Sequence, residues 1–130
     1  MAEAGCELFS DDDTMAPDNP FKRHFDLFRE AMEMIGRPHP TEPLLRAGLE
    51  KAGFVDVHAR CIKKPMGPWP RDRRLKAVGA MCVLNAETGI EAFGVAPYTR
   101  ILGYTPEQAK AICRDALAAM KVKSTHIYNY

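Results

Sequence analysis

The sequence predicts a helix-rich α/β fold of the α+β type, with about five helices and two or three short strands. Apolar residues recur at helical spacing in several segments that glycine and proline separate. The segment Phe54–Ile62 instead alternates apolar and polar residues, and the aromatic segment His126–Tyr130 is typical of a final strand. At 130 residues the chain is long enough for one packed core.

The N-terminal residues 1–16 are acidic and irregular, which predicts a mobile arm or a short edge strand. Residues 17–130 are predicted to form the single domain that follows. Its first helix begins cleanly, because Asn19 is a good N-cap and Pro20 suits the first helical position. Gly36 is a natural stop. The apolar stripe of this helix consists of Phe21, Phe25, Phe28, Met32 and Ile35.

A second, shorter helix is predicted from Thr41 to Gly53, and leucines supply its apolar side. The alternation over Phe54–Ile62 then predicts one strand. A stiff corner, Pro65–Pro70, follows it. Trp69 lies between two prolines there, which restricts the backbone on both sides of the indole.

From Arg71 the pattern is helical again, and Thr88-Gly89 is predicted to break that helix. The next segment, Ile90–Leu102, is apolar around much of its circumference. Because Pro97 lies inside it, a kink or two short pieces is expected. Leu75, Val78, Cys82 and Ala86 form the stripe of the helix before the break.

The last helix has the clearest start signal in the chain. Thr105 and Gln108 form a capping box around Pro106, and an amphipathic stripe continues to Met120. The segment His126–Tyr130 is expected to end the fold as a short strand.

Composition and charge exclude several classes of protein. A formal net charge of +1 gives no reason to expect nucleic acid or an anionic membrane as partner. No apolar run approaches the roughly 18 residues that span a bilayer, and the acidic start does not resemble a secretory signal, so a cytoplasmic location is expected. The four cysteines lie 21 or more residues apart, which does not indicate a zinc site or any other metal site.

Three segments together carry a family resemblance: the turn Ala52-Gly53-Phe54-Val55, the corner Pro65–Pro70 with its Gly-Pro-Trp-Pro sequence, and Thr99–Gly103. In this order and spacing they resemble the C-terminal half of the LaeA-like methyltransferases of fungal secondary metabolism. The resemblance implies a truncated class I methyltransferase-like fold, in which residues 17–130 form the C-terminal, substrate-side domain. It extends over nearly the whole chain.

The family's half that holds S-adenosylmethionine has no counterpart here. A class I methyltransferase needs a glycine-rich turn after a strand, and no two glycines of this chain are closer than five residues. We therefore expect no cofactor and no methyl transfer by this chain alone. The surface that packs on the other half of the family's fold would be exposed, so a homodimer or a complex with a larger methyltransferase-like chain is expected.

Four residues are candidates for catalysis. His24 adjoins the stripe of the first helix and has the side chain suited to proton transfer near neutral pH; a partly buried histidine with one hydrogen bond is the alternative. Glu91 is either a proton donor in apolar surroundings or a solvated acid. Tyr98 and Arg100 match positions of the family, and Arg100 would pair with an acid or bind an enolate or carboxylate. The other histidines, at positions 39, 58 and 126, rank below these.

Three further residues are candidates for binding a substrate. Trp69 would form either the aromatic wall of an apolar pocket or simply an anchor of the corner. Met81 and Phe93 would shape the same pocket. The expected ligand is a small apolar molecule.

The favoured hypothesis is an enzyme of natural product biosynthesis that has lost methyl transfer and acts as a cofactor-independent cyclase or isomerase, of pericyclase or dehydratase type. Shape, desolvation and one or two proton donors can accelerate such reactions. The alternatives are a non-catalytic subunit of a LaeA-like S-adenosylmethionine-dependent methyltransferase, or a truncated part of one.

Overall fold

The computed structural model describes residues 3–130. Within them four helices and two short strands follow one another along the chain. The helices are α1 (Pro20–Met34), α2 (Glu42–Lys51), α3 (Arg73–Arg100) and α4 (Pro106–Met120). The strands are β1 (Lys64–Pro65) and β2 (Tyr128–Asn129). The helix-rich α/β prediction is confirmed at this level.

The C-terminal strand lies in the middle of a small antiparallel arrangement. β1 pairs with β2 so that Lys64 faces Asn129 and Pro65 faces Tyr128. On the other side of β2, the backbone N–H of Phe9 donates to the Tyr128 carbonyl at 2.9 Å, and the reciprocal bond measures 3.0 Å. The arm therefore lies beside β2 through one isolated bridge, and the predicted terminal strand is confirmed.

Three helices form the core beneath this sheet. α4 packs against both α1 and α3, and the fully buried side chains between them include Phe21, Tyr98 and Cys113. The predicted caps are confirmed, since Asn19 Oδ1 accepts from the backbone N–H of Phe21 and the capping box at Thr105 is complete. Burial of these apolar faces, at about 25 cal/mol per Å², is the main stabilising term.

The predicted break at Thr88-Gly89 is wrong, because α3 continues through it to Arg100 as one helix. A glycine inside a helix costs only about 1 kcal/mol. Burial of Ile90 and Gly94 against the other helices outweighs that cost. Pro97 lies in the last turn, where it removes one hydrogen bond and leaves the helix intact. Residues 3–130 consequently contain one helix fewer than the five predicted.

The predicted strand over Phe54–Ile62 is also wrong. The segment has no ladder partner within the described structure, and nearly all of it is exposed. Its main tertiary hydrogen bond runs from Arg46 Nη1 to the Val57 carbonyl at 2.6 Å. Alternation alone does not make a strand, because the backbone groups need an edge to pair with, and here pairing begins only at Lys64.

Candidate functional site

Two of the four predicted catalytic residues meet inside the core. The Tyr98 hydroxyl donates to the His24 carbonyl oxygen at 2.8 Å and lies 2.8 Å from Nδ1 of the same residue. Because a hydroxyl has one proton, Nδ1 carries its own proton and donates to the tyrosine oxygen. Burial lowers the pKa of His24 to about 4 and raises that of Tyr98 above its usual value. The imidazole is therefore neutral at physiological pH.

This buried pair is closed off by its neighbours. A Cβ on Gly94 would come within 2.8 Å of the Cys113 sulfur and 3.1 Å of the His24 ring. Burial also raises the pKa of the Cys113 thiol to about 11. His24 is 5% exposed and Tyr98 0%, so a substrate has no direct path to either. The geometry is that of a cross-link between α1 and α3.

The other two predicted catalytic residues, Glu91 and Arg100, lie on exposed positions of α3. Met81 and Phe93, predicted to shape a pocket, are 63% and 68% exposed on the same helix. These four side chains are thus on the outside of the three-helix core that encloses His24 and Tyr98. The structure does not bring the seven predicted site residues together around one cavity.

Trp69 fastens the corner to the C-terminal strand. Its indole Nε1–H donates to the Ile127 carbonyl at 2.9 Å, and its ring centroid lies 5.2 Å from that of His126. The corner also packs closely on α3, since a Cβ on Gly79 would come 1.9 Å from the Gly67 carbonyl oxygen. This geometry matches the anchoring interpretation of Trp69, and the half-buried ring still presents part of its surface to solvent.

The sequence reasoning missed the polar cluster beside that indole. Nδ1 of His126 lies 2.5 Å from Oδ2 of Asp12. The other carboxylate oxygen accepts from the Ser10 hydroxyl at 3.0 Å and the Thr14 hydroxyl at 2.8 Å. These hydrogen bonds, led by that from His126, hold the pKa of Asp12 well below its usual value. An acid and a histidine 114 residues apart give no local signal, so only the fold reveals the pair.

A second ionic cluster adjoins the first one. Asp11 accepts hydrogen bonds from the Tyr128 hydroxyl at 2.6 Å and from the Lys63 ammonium at 2.5 Å. The same ammonium lies 4.3 Å from the centroid of the Tyr128 ring. Together the two clusters tie the acidic Ser10–Thr14 turn to β2 and to Lys63, the residue directly before β1. They also explain why the N-terminal arm is held along β2.

A larger cleft lies elsewhere, between α2 with its following loop and the side of the arm next to Tyr130. Its volume is about 570 Å³. Polar and charged side chains, among them His39, Arg46 and Arg60, share the lining with Phe9 and Leu45. None of the seven predicted site residues lines it.

An exposed apolar stripe runs along the outside of α3. It consists of Leu75, Val78 and Met81, which are 44%, 42% and 63% exposed. Each lies three positions from the next, and residues three apart are neighbours on a helix surface, so the three side chains form one surface. Phe93, which is 68% exposed, lies further along the same helix and stands apart from them. Soluble monomers rarely leave such a surface uncovered.

The described residues show neither a metal centre nor a membrane span. Across residues 3–130 no three His, Cys, Asp or Glu side chains are placed to hold a metal ion. None of the helices in that range combines the length and apolarity that a bilayer crossing requires. The four cysteines are all free thiols.

Comparison with known proteins identifies relatives over most of the chain. It is 34% identical over 112 residues to the methyltransferase pytC of Aspergillus terreus, which covers 86% of this chain and 35% of pytC. It is 28% identical to the probable methyltransferase tdiE of Emericella nidulans, covering 98% of this chain and 40% of tdiE. The secondary metabolism regulator LAE1 of Cochliobolus heterostrophus is 33% identical over 99 residues, covering 76% of this chain and 32% of LAE1.

The chain spans about a third of the length of the curated relatives that it matches. No family model and no solved structure matches it. The predicted resemblance to LaeA-like methyltransferases of fungal secondary metabolism is confirmed by these relatives, and their coverage agrees with a correspondence to one portion of their sequence.

Proposed function

Because the chain is similar to one third of the methyltransferases and LaeA regulators of fungal secondary metabolism, we propose that it supplies the acceptor-substrate side of a LaeA-like methyltransferase. Residues outside this chain, corresponding to the other two thirds of those relatives, would bind S-adenosylmethionine. The chain then contributes shape and polar groups at the acceptor, and the bound cofactor contributes the methyl group. This role belongs to natural product biosynthesis.

The observation that carries this proposal is the exposed apolar stripe of α3. Its most exposed member, Met81, keeps 63% of its surface in water, and Phe93, further along α3, keeps 68%. Covering such side chains is worth about 25 cal/mol per Å² of apolar area. The relatives have the additional chain length that such a cover needs, so we assign the stripe to contact with that portion.

The sheet edge supports the same proposal. Both backbone groups of Phe9 bond to Tyr128, and within residues 3–130 no strand pairs with the other side of the arm. A further strand can pair there, as the central sheet of a class I methyltransferase would require. The apolar stripe and the sheet edge thus give two separate surfaces for one partner.

A complementation experiment tests this role. The chain is co-expressed with the portion of the pytC protein that lies outside the matched segment, and the mass of the product is measured by light scattering. We expect a one-to-one complex that binds S-adenosylmethionine in calorimetry. Met81→Lys should abolish the complex, whereas the matched control Ala118→Lys, at an exposed position of α4, should leave it intact. Failure of the unaltered chain to associate would refute the proposed role.

A second candidate function, the cofactor-independent cyclase or isomerase of pericyclase or dehydratase type, is favoured by the Asp12–His126 pair beside Trp69. These groups offer proton transfer next to an aromatic surface without any cofactor. In that case the stripe of α3 would be covered by a second copy, giving a homodimer. A dimer of the chain alone, with no affinity for S-adenosylmethionine, would favour this function over the first.

A further inference from the structure

The Asp12–His126 pair has the geometry of an oriented base. Asp12 accepts from His126 at Nδ1, at 2.5 Å, and is itself fixed by the hydroxyls of Ser10 and Thr14. The backbone N–H of His126 also donates to the Thr14 hydroxyl at 2.8 Å. His126 is thereby held at two points, its backbone N–H and the Nδ1 atom of its ring.

That orientation leaves the second ring nitrogen available. Because a carboxylate only accepts hydrogen bonds, Nδ1 carries the proton in the neutral ring, and Nε2 has its lone pair free. Within residues 3–130 Nε2 has no hydrogen-bond partner, and the His126 side chain is 38% exposed. The Trp69 ring lies beside it at 5.2 Å and 34°, so a basic nitrogen adjoins a broad aromatic surface.

We propose that Asp12 and His126 form a general-base pair that removes a proton from a flat aromatic or conjugated substrate packed against Trp69. The substrate X–H bond breaks, its electron pair stays on the substrate, and the proton forms a new bond to Nε2. The Asp12 carboxylate orients the imidazole ring and stabilises the positive charge of the imidazolium that forms. The proton afterwards leaves to solvent or returns to another atom of the substrate, so the step requires no cofactor.

This inference goes beyond the proposed methyltransferase role, because the base is complete within this chain. The same base would deprotonate a methyl acceptor or isomerise a conjugated intermediate. His126 is the catalytic residue of the pair. Asp12 is a positioning residue that acts through it.

A model substrate allows the rate of proton removal by His126 to be measured with the unaltered chain alone. 5-Nitrobenzisoxazole is flat and aromatic, and loss of its ring C–H proton opens the N–O bond to a coloured cyanophenolate. We expect the unaltered chain to convert it at least about tenfold faster than His126→Gln, since positioned bases contribute about 10²–10⁴-fold. Asp12→Asn should lose most of the rate, and the matched control Asp13→Asn should retain it. Equal rates for the unaltered chain and His126→Gln would overturn the proposal.

A second measurement does not depend on whether the variants fold. Long-range ¹H–¹⁵N correlation spectra of the unaltered chain report which ring nitrogen of His126 carries the proton. Asp12 in the position described requires the Nδ1–H tautomer. Observation of the Nε2–H tautomer would overturn the proposal, and association with a methyltransferase partner, tested separately above, would be unaffected by either result.

Discussion

Acid should destabilise this protein through one buried histidine. Folding lowers the pKa of His24 from 6.5 to about 4, because burial disfavours its charged form. The unfolded chain therefore binds this proton more tightly, and the stability due to the neutral ring is present above the unfolded pKa and lost as pH falls toward the folded one. Applying the linkage relation to these two values gives a loss of about 2.5 kcal/mol in the free energy of unfolding between about pH 7.5 and about pH 4.5.

Urea denaturation at these two pH values, followed by circular dichroism, measures that loss. The comparison is between the unaltered chain and His24→Asn, whose amide can still meet the Tyr98 hydroxyl but does not titrate. Other acids and histidines contribute to both proteins alike, so the difference between the two pH dependences isolates His24. The matched control His58→Gln replaces an exposed histidine and should behave like the unaltered chain.

The reasoning would be refuted by parallel pH dependences in the unaltered chain and His24→Asn. That result would mean that His24 titrates in the folded state as it does in the unfolded one. A lower stability of His24→Asn at both pH values would not count, because lost ring packing shifts the whole curve. Only a difference between the two proteins in how the free energy of unfolding changes with pH tests the role of His24.

Three substitutions give further expectations. Gly79→Ala places a Cβ 1.9 Å from the Gly67 carbonyl oxygen, so the corner must move and unfolding should become easier by about 1–3 kcal/mol in urea titration. Gly48→Ala, in open space inside α2, should instead stabilise by about 0.5–1 kcal/mol in the same assay; destabilisation would contradict the assignment of that helix. Trp69→Phe removes the hydrogen bond to the Ile127 carbonyl and should cost about 1 kcal/mol, with faster hydrogen exchange at β2; unchanged exchange would show that the corner is held by other contacts.

The helix ends were predictable because their signals are local. Asn19 with Pro20 and the capping box at Thr105 fix helix starts through hydrogen bonds within three residues. The breaks were less predictable. Gly89 has a small intrinsic cost in a helix, and packing of α3 on its neighbours decides whether that cost is overcome.

In the candidate site, too, the residues are visible in the sequence, whereas their contacts depend on tertiary packing. His24 and Tyr98 were both named from the sequence, but their hydrogen bond and their burial appear only when α1 and α3 pack. Asp12 and His126 carry no signal for one another, because the arm and the terminal strand meet only through the sheet. The sequence leaves two interpretations of Trp69, the wall of a pocket and an anchor of the corner. Its hydrogen bond to the Ile127 carbonyl supports the anchor.

The sequence by itself determined the family resemblance, the helix starts and the amphipathic stripe of α4, since each depends on residues close together in the chain. The tertiary structure decided the continuity of α3, the lack of a strand over Phe54–Ile62 and the pairing of acid with histidine. These depend on which surfaces and backbone edges find a partner. Such contacts join residues tens of positions apart, and their free energy exceeds the small local preferences that the sequence displays.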